Sequence, residues 1–231
     1  MSFDVRTDAH GKDPDAHSAT LRRFHQQLWS RPLPDGTQIG LEPAPQEYLR
    51  MISSRGSWMV SSDSIIHTYA TWRHTAAVVA GIPHDELDAF LRASCTVGGY
   101  IVFPVAFELK PTINQARGTR AAISDRFDLT LECIRRHYAR EASPLSDVLD
   151  AYAGFFAVFG DFPTYVSHFL LGDLVDARGR VRTFLPFESF GGRPLPRSVD
   201  EYRRYRDASI EFVEQRNARI ARLGQPEGSK R

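Results

Sequence analysis

The chain has 231 residues, 42% hydrophobic and 25% charged, with 29 Lys and Arg against 28 Asp and Glu for a formal net charge of +1. That is enough apolar mass for one sizeable core, and the charge balance excludes a polycation built to grip phosphate backbones with its whole surface. Two cysteines far apart, Cys95 and Cys133, exclude a disulfide scaffold and point to a reducing, cytoplasmic setting.

Residues 1–17 are polar, rich in Asp and His, and lack the apolar segment of a secretory signal. They are expected as a flexible segment ahead of one globular domain over 18–223, with 224–231 as a disordered tail. Ser18 is positioned to cap a helix through about Trp29, and "RPLPDG" then turns the chain toward a short extended piece near Ile39 and Leu41. "PQEYLRMI" reads as a short helix, "SWMVS" as a strand, and "SDSIIHTYATWRHTAAVVAG" as a helix with Asp63 as N-cap and Gly81 at its end.

"PHDELDAFLRAS" is a further helix with acids in its first turn, and "VGGYIVFPVAFEL" is a strand that Pro104 confines to an edge or interrupts. "TINQARGTR" is too polar for a strand interior and reads as a loop. Ser124 is the expected cap of the helix behind it, and Ser143-Pro144 starts the next. A short helix from Pro163 to Val175, a last strand in "RVRTFLPFESF" and a long helix opened by a Ser198 and Glu201 capping box complete the chain. Without regular strand-helix alternation, this predicts an α+β fold: a single domain, mostly helical, with a small three- or four-stranded sheet. The most hydrophobic stretch, residues 148–175, is interrupted by Asp150, Asp161, Pro163, His168 and Asp173 and falls short of a membrane span.

The densest polar region is "INQARGTRAAISDRFDLTLECIRRHY". At helical spacing Phe127, Leu131, Ile134 and Tyr138 form an apolar stripe, while Asp125, Asp128, Glu132, Arg135 and Arg136 gather opposite it. Asp128 and Glu132 are like charges at i,i+4, and Leu129 and Cys133 flank them, so the helix is expected to be covered on several sides. Two readings follow. In the first, the charged side floors a cleft that binds an anionic small molecule or nucleotide. Asn114, Gln115, Arg117, Arg120 and Arg136 would contact the ligand, and Asp125, Asp128 or Glu132 would serve as acid or base. In the second, the charges are an internal network in a non-enzymatic protein-interaction module.

Asp63, His67 and His74 share a face if their segment is helical, which makes them weak metal-ligand candidates, but no HExxH pattern accompanies them. No phosphate-binding glycine motif occurs, so no nucleotide fingerprint and no cofactor can be named. The tyrosines and arginines of "EYRRYRD" are followed closely by acids, which disfavours nucleic acid as partner.

The blocks "SSDSIIHTY", "GGYIVFP", "INQARG", "ISDRFDLTLECIRRHY" and "FLLGDLV" together resemble a family of bacterial and phage-borne proteins known only as a domain of unknown function. The resemblance runs from about Asp13 to about Leu223 and implies one full-length domain. It brings no activity, ligand or site residue with it.

Overall fold

The structure, a computed structural model, describes residues 4–106 and 108–223. Within them the chain forms eleven α-helices and one four-stranded antiparallel sheet in a single α+β domain. The elements are α1 (Val5–Asp8), α2 (Pro14–His17), α3 (Ala19–Trp29), β1 (Gly40–Pro43), β2 (Leu49–Ser53), β3 (Gly56–Ser64), α4 (Ala76–Val79), α5 (His84–Ser94) and β4 (Tyr100–Val105). They continue with α6 (Ile113–Thr119), α7 (Phe127–Ala139), α8 (Ser146–Ala151), α9 (Ala153–Phe156), α10 (Phe162–His168) and α11 (Val199–Leu223).

The sheet order is β1-β2-β3-β4, so β4 is an edge strand, where Pro104 removes no ladder hydrogen bond that the sheet needs. Ser61 lies opposite Phe103 and Asp63 opposite Ile101. With side chains alternating, these four share one face of the sheet and Ser62 and Val102 the other. The first face is covered by α6, with Phe127 of α7 beyond Arg117, and on the second Ser62 meets His25 of α3 and Asp15 of α2. Helix α11 packs over the turn before β4 so closely that a Cβ on Gly98 would lie 2.7 Å from the Val213 carbonyl oxygen. The Gly98 N–H donates to Asn217 Oδ1 at 2.7 Å.

Several expectations are corrected. The segment around "SDSIIHTYATWRH" is the end of β3 and a loop, not a helix, because Ser61 to Ser64 pair with β4. Propensity was outvoted there by a neighbouring strand that lies nearly 40 residues on, as about 1 kcal/mol of β-preference allows. "LRMI" extends into β2, leaving one 3₁₀ turn at Pro45–Glu47, and "INQARG" is helix α6 instead of a loop. Thr112 and Gln115 form a capping box at the start of α6, a signal overlooked among the polar residues. "RVRTFLPFESF" contributes only an isolated bridge, Val175 with Val181.

The N-terminal segment is also ordered where it is described. Asp4 and Asp13 cap α1 and α2, and Val5 and Ala9 are wholly buried, with the Val5 N–H donating to the Cys95 carbonyl at 2.8 Å. Asp8 accepts from Ser18 Oγ and the Thr20 N–H. The expected flexible segment thus fails because one valine and two capping acids suffice to dock it, although they make no periodic pattern. Deleting residues 1–12 should lower stability by about 2–3 kcal/mol, the scale of one buried valine with its hydrogen bonds. Urea unfolding that gives the same midpoint and slope for the truncated and full chains would refute this. The expected tail, 224–231, lies outside the described residues.

Candidate functional site

Helix α7 carries its apolar stripe as its spacing demands: Phe127, Leu131 and Ile134 are wholly buried and Tyr138 packs against the same core. Its N-terminal half is enclosed all round, since Asp128, Leu129, Thr130 and Cys133 are buried as well. The charged residues therefore do not form one cleft floor. They separate into three groups.

Asp128 is fully buried and pairs through both oxygens with Arg126, while the Phe184 N–H donates to it at 2.8 Å. Arg126 in turn donates to the carbonyls of Leu185 and Pro194. This pair ties the irregular 184–194 segment to α7 and leaves no face for a ligand. Residues i and i+2 do not meet on a helix; Arg126 reaches Asp128 because it sits in extended conformation at the N-cap, φ −76° and ψ 119°.

At the other end Glu132 accepts from Arg135 and Arg136, and Arg136 lies over the Phe190 ring at 5.0 Å. Arg120 is held in a fork by Asp147 and by the Pro144 carbonyl. Gln115 is consumed by the capping box. None of Asp128, Glu132, Gln115, Arg120 and Arg136 is placed around a common space, which corrects the cleft drawn from the helical wheel.

The third group does converge. Arg117 is fully buried between the rings of Phe103 and Phe127, 5.6 and 5.8 Å from their centroids. It pairs with Asp63 and, at 3.4 Å, with Asp125, and donates to Thr130 Oγ1 and to the carbonyls of Ser64 and Asp125. One turn earlier on α6, Asn114 Nδ2 donates to Ser61 Oγ at 3.2 Å, and Asn114 Oδ1 is buried without a hydrogen-bond donor among the described residues. Asp125 is not helical. Ser124 and Asp125 both occupy the left-handed region, φ 49° and 60°, held there by the Tyr69 hydroxyl on the Ser124 carbonyl and by Arg117 on the next.

The side chains of Asp63, His67 and Asp125 reach solvent, 26%, 29% and 20% exposed, above the sealed Arg117. Two carboxylates facing one guanidinium leave an excess of negative charge at this mouth. Burial pushes the Asp125 carboxyl from 3.8 up to about 6, Arg117 opposing and Asp63 reinforcing the rise. Burial, then the Arg117 charge, holds the His67 imidazole below its ordinary range and so neutral.

His67 shows a mismatch. The Tyr69 N–H points at Nδ1 at 3.0 Å and the Trp72 indole N–H at Nε2 at 3.1 Å, yet a neutral imidazole accepts at one nitrogen only. One N–H therefore lacks an acceptor. Asp125 Oδ2 is 4.0 Å from His67 Nε2, too far for a direct hydrogen bond, and the buried Oδ1, ion-paired with Arg117, accepts no hydrogen bond among the described residues.

His74 is exposed and does not join Asp63 and His67, because the helix that would have aligned them is absent. Among the described residues no three or more His, Cys, Asp or Glu are arranged to hold a metal ion. Sequence reasoning found Asp63, His67, Asn114, Arg117 and Asp125 but missed Ser61, Trp72 and Arg126. Trp72 had a signal in its place five residues after His67; Ser61 had one only through the register of β3. The Tyr202 and Tyr205 hydroxyls donate to the carbonyls of Thr68 and His67, and Arg203 and Arg206 pair with Glu86, so the aromatic-basic run of α11 supports the His67 loop.

Residues 1–220 match the model of DUF6994, a family of unknown function, and the chain belongs to that family. No curated protein and no solved structure matches the chain. No helix among the described residues is long and apolar enough to cross a membrane.

Proposed function

We propose that this DUF6994 member binds a small hydroxyl-bearing molecule at the mouth formed by Asp63, His67, Trp72 and Asp125, with Asp125 as the proton acceptor. The observation that carries the reading is the mismatch at His67: two N–H donors meet one acceptor, with Oδ2 of the partly exposed Asp125 carboxylate 4.0 Å from Nε2. Because His67 Nε2 and Asp125 Oδ2 are 4.0 Å apart, one oxygen can sit at bonding distance, about 2.8 Å, from both. A hydroxyl there accepts from the ring or indole N–H and donates to Asp125, which satisfies each group at once. An anion is disfavoured at this point, since Arg117 is sealed beneath two carboxylates. The two cysteines are free and buried, which supports a cytoplasmic setting.

The probe is D-ribose, followed by the Trp72 indole N–H resonance, assigned from Trp72→Phe. Saturable movement in the parent and none in Asp125→Asn is expected; an indole signal that ribose leaves unmoved refutes the reading. Asp125 also makes a prediction about stability. Its folded pKa lies above its unfolded one, so ionising it costs stability as pH rises from about 4 through 6. The unfolding free energy of Asp125→Asn relative to the parent should therefore grow by about 2.5 kcal/mol between pH 4 and pH 8. A difference independent of pH would show Asp125 to be an ordinary exposed acid.

The second reading, a protein-interaction module held by a structural charge network, is favoured by the internal pairing of Arg117, Arg120, Arg126 and Arg136. It requires ribose to leave the Trp72 indole signal of the parent unmoved.

A further inference from the structure

Away from that mouth, Phe162, Val166 and Leu170 recur at four-residue spacing along α10 and its exit. They line one wall of a groove of about 510 Å³ that Val175 faces, with Arg31, Arg219 and Asp176, itself paired with Arg180, as its charged lining. Grooves of roughly 300–1,000 Å³ with apolar walls and few polar groups are the usual form of small-molecule sites. The two arginines differ. Arg219 is satisfied by a fork to Asp173, at 2.7 and 2.5 Å. Arg31 is half-buried, makes one side-chain hydrogen bond, Nη1 to the His168 carbonyl at 3.1 Å, and has no ion pair among the described residues. Burial without an opposing carboxylate lowers its pKa.

The groove wall also carries strain. Leu170 follows the end of α10 at φ 58°, a left-handed position that suits glycine better than a residue with a side chain. Glycine would relieve the backbone and remove part of the apolar wall.

We infer that this groove binds a carboxylate with an apolar body, the carboxylate on Arg31 and the hydrocarbon along Phe162, Val166 and Leu170. The guanidinium has planar donors to spare and no counter-charge, and a carboxylate matches it in both geometry and sign. An uncharged apolar ligand would leave that charge half-desolvated and unpaired, and an amine would add a second positive charge beside it.

The test uses octanoate, octylammonium and octanol, each below its aggregation threshold, with binding followed by amide chemical shifts and by melting temperature. The parent should bind octanoate saturably and about tenfold or more tightly than the other two, the scale of one charge-assisted hydrogen-bonded pair. Arg31→Met should lose that preference while keeping the aliphatic stem. Ser167→Trp, which fills the groove from the exposed side of α10, should abolish binding of all three and keeps the test decisive if Arg31→Met fails to fold. The inference is overturned by unchanged octanoate affinity in either folded variant, by octylammonium binding as tightly as octanoate, or by no saturable binding in the parent.

Discussion

Replacing Arg117 with alanine is expected to cost about 3–5 kcal/mol, the penalty for breaking a buried ion pair from one side. The guanidinium is fully buried, and its loss strands the Asp63 and Asp125 carboxylates together with the Ser64 and Asp125 carbonyls and Thr130 Oγ1. It also empties the space between Phe103 and Phe127. The attraction itself need not be large for this to hold, because what is measured is mainly the cost of leaving acids and carbonyls without donors. Arg117→Met, which keeps the volume, separates the two terms. In an Asp63→Asn background the loss should shrink, since one stranded charge is already gone. Urea titrations of the four proteins give the cycle. A loss under about 1 kcal/mol for Arg117→Ala would mean that water already solvates the group, as at exposed salt bridges.

The second large effect is on acid stability. His168 is 4% exposed, ringed by Trp29, Phe159 and Phe169, each with its ring centroid 5.1 Å away, and its Nε2 has no hydrogen-bond partner among the described residues. Burial, then the neighbouring Arg31, pushes its pKa from 6.5 down to about 3. The folded state binds the proton less readily than the unfolded one, so stability is complete above about pH 6.5 and is lost as pH falls toward 3. The full loss is about 5 kcal/mol, of which about 3 kcal/mol is reached by pH 4. Asp125 acts with the opposite sign over part of this window, stabilising the fold by about 2 kcal/mol as pH falls from 6 to 4. Between those two pH values the terms nearly cancel, and below pH 4 the histidine dominates. His168→Phe should therefore flatten the acid limb of stability against pH, while Asp125→Asn should steepen it. Parallel curves for His168→Phe and the parent would show that the imidazole is solvated or paired in the native state.

The sequence determined what depends on local physics. Periodicity placed the core stripe of α7, Ser18 marked the start of α3, Ser198 and Glu201 that of α11, and Pro104 put β4 at an edge; composition and element order indicated a single α+β domain. These are effects of neighbours within a few residues, where side-chain direction follows from backbone geometry. Tertiary structure decided the rest. Ser61 to Ser64 became a strand because β4 pairs with them, and that pairing turned Asp63 from a cap into a partner of Arg117. The N-terminal helices hold through a few specific contacts, such as Val5 with Cys95 and Asp8 with Ser18, which carry no periodic signal. The charges on α7 looked like one face on a helical wheel, but Asp125 lies outside the helix, Asp128 faces the 184–194 segment and Glu132 faces its own arginines. Charge is read from sequence, whereas the partner that neutralises it is chosen by packing across the chain, because desolvation penalises every buried charge until a distant group satisfies it.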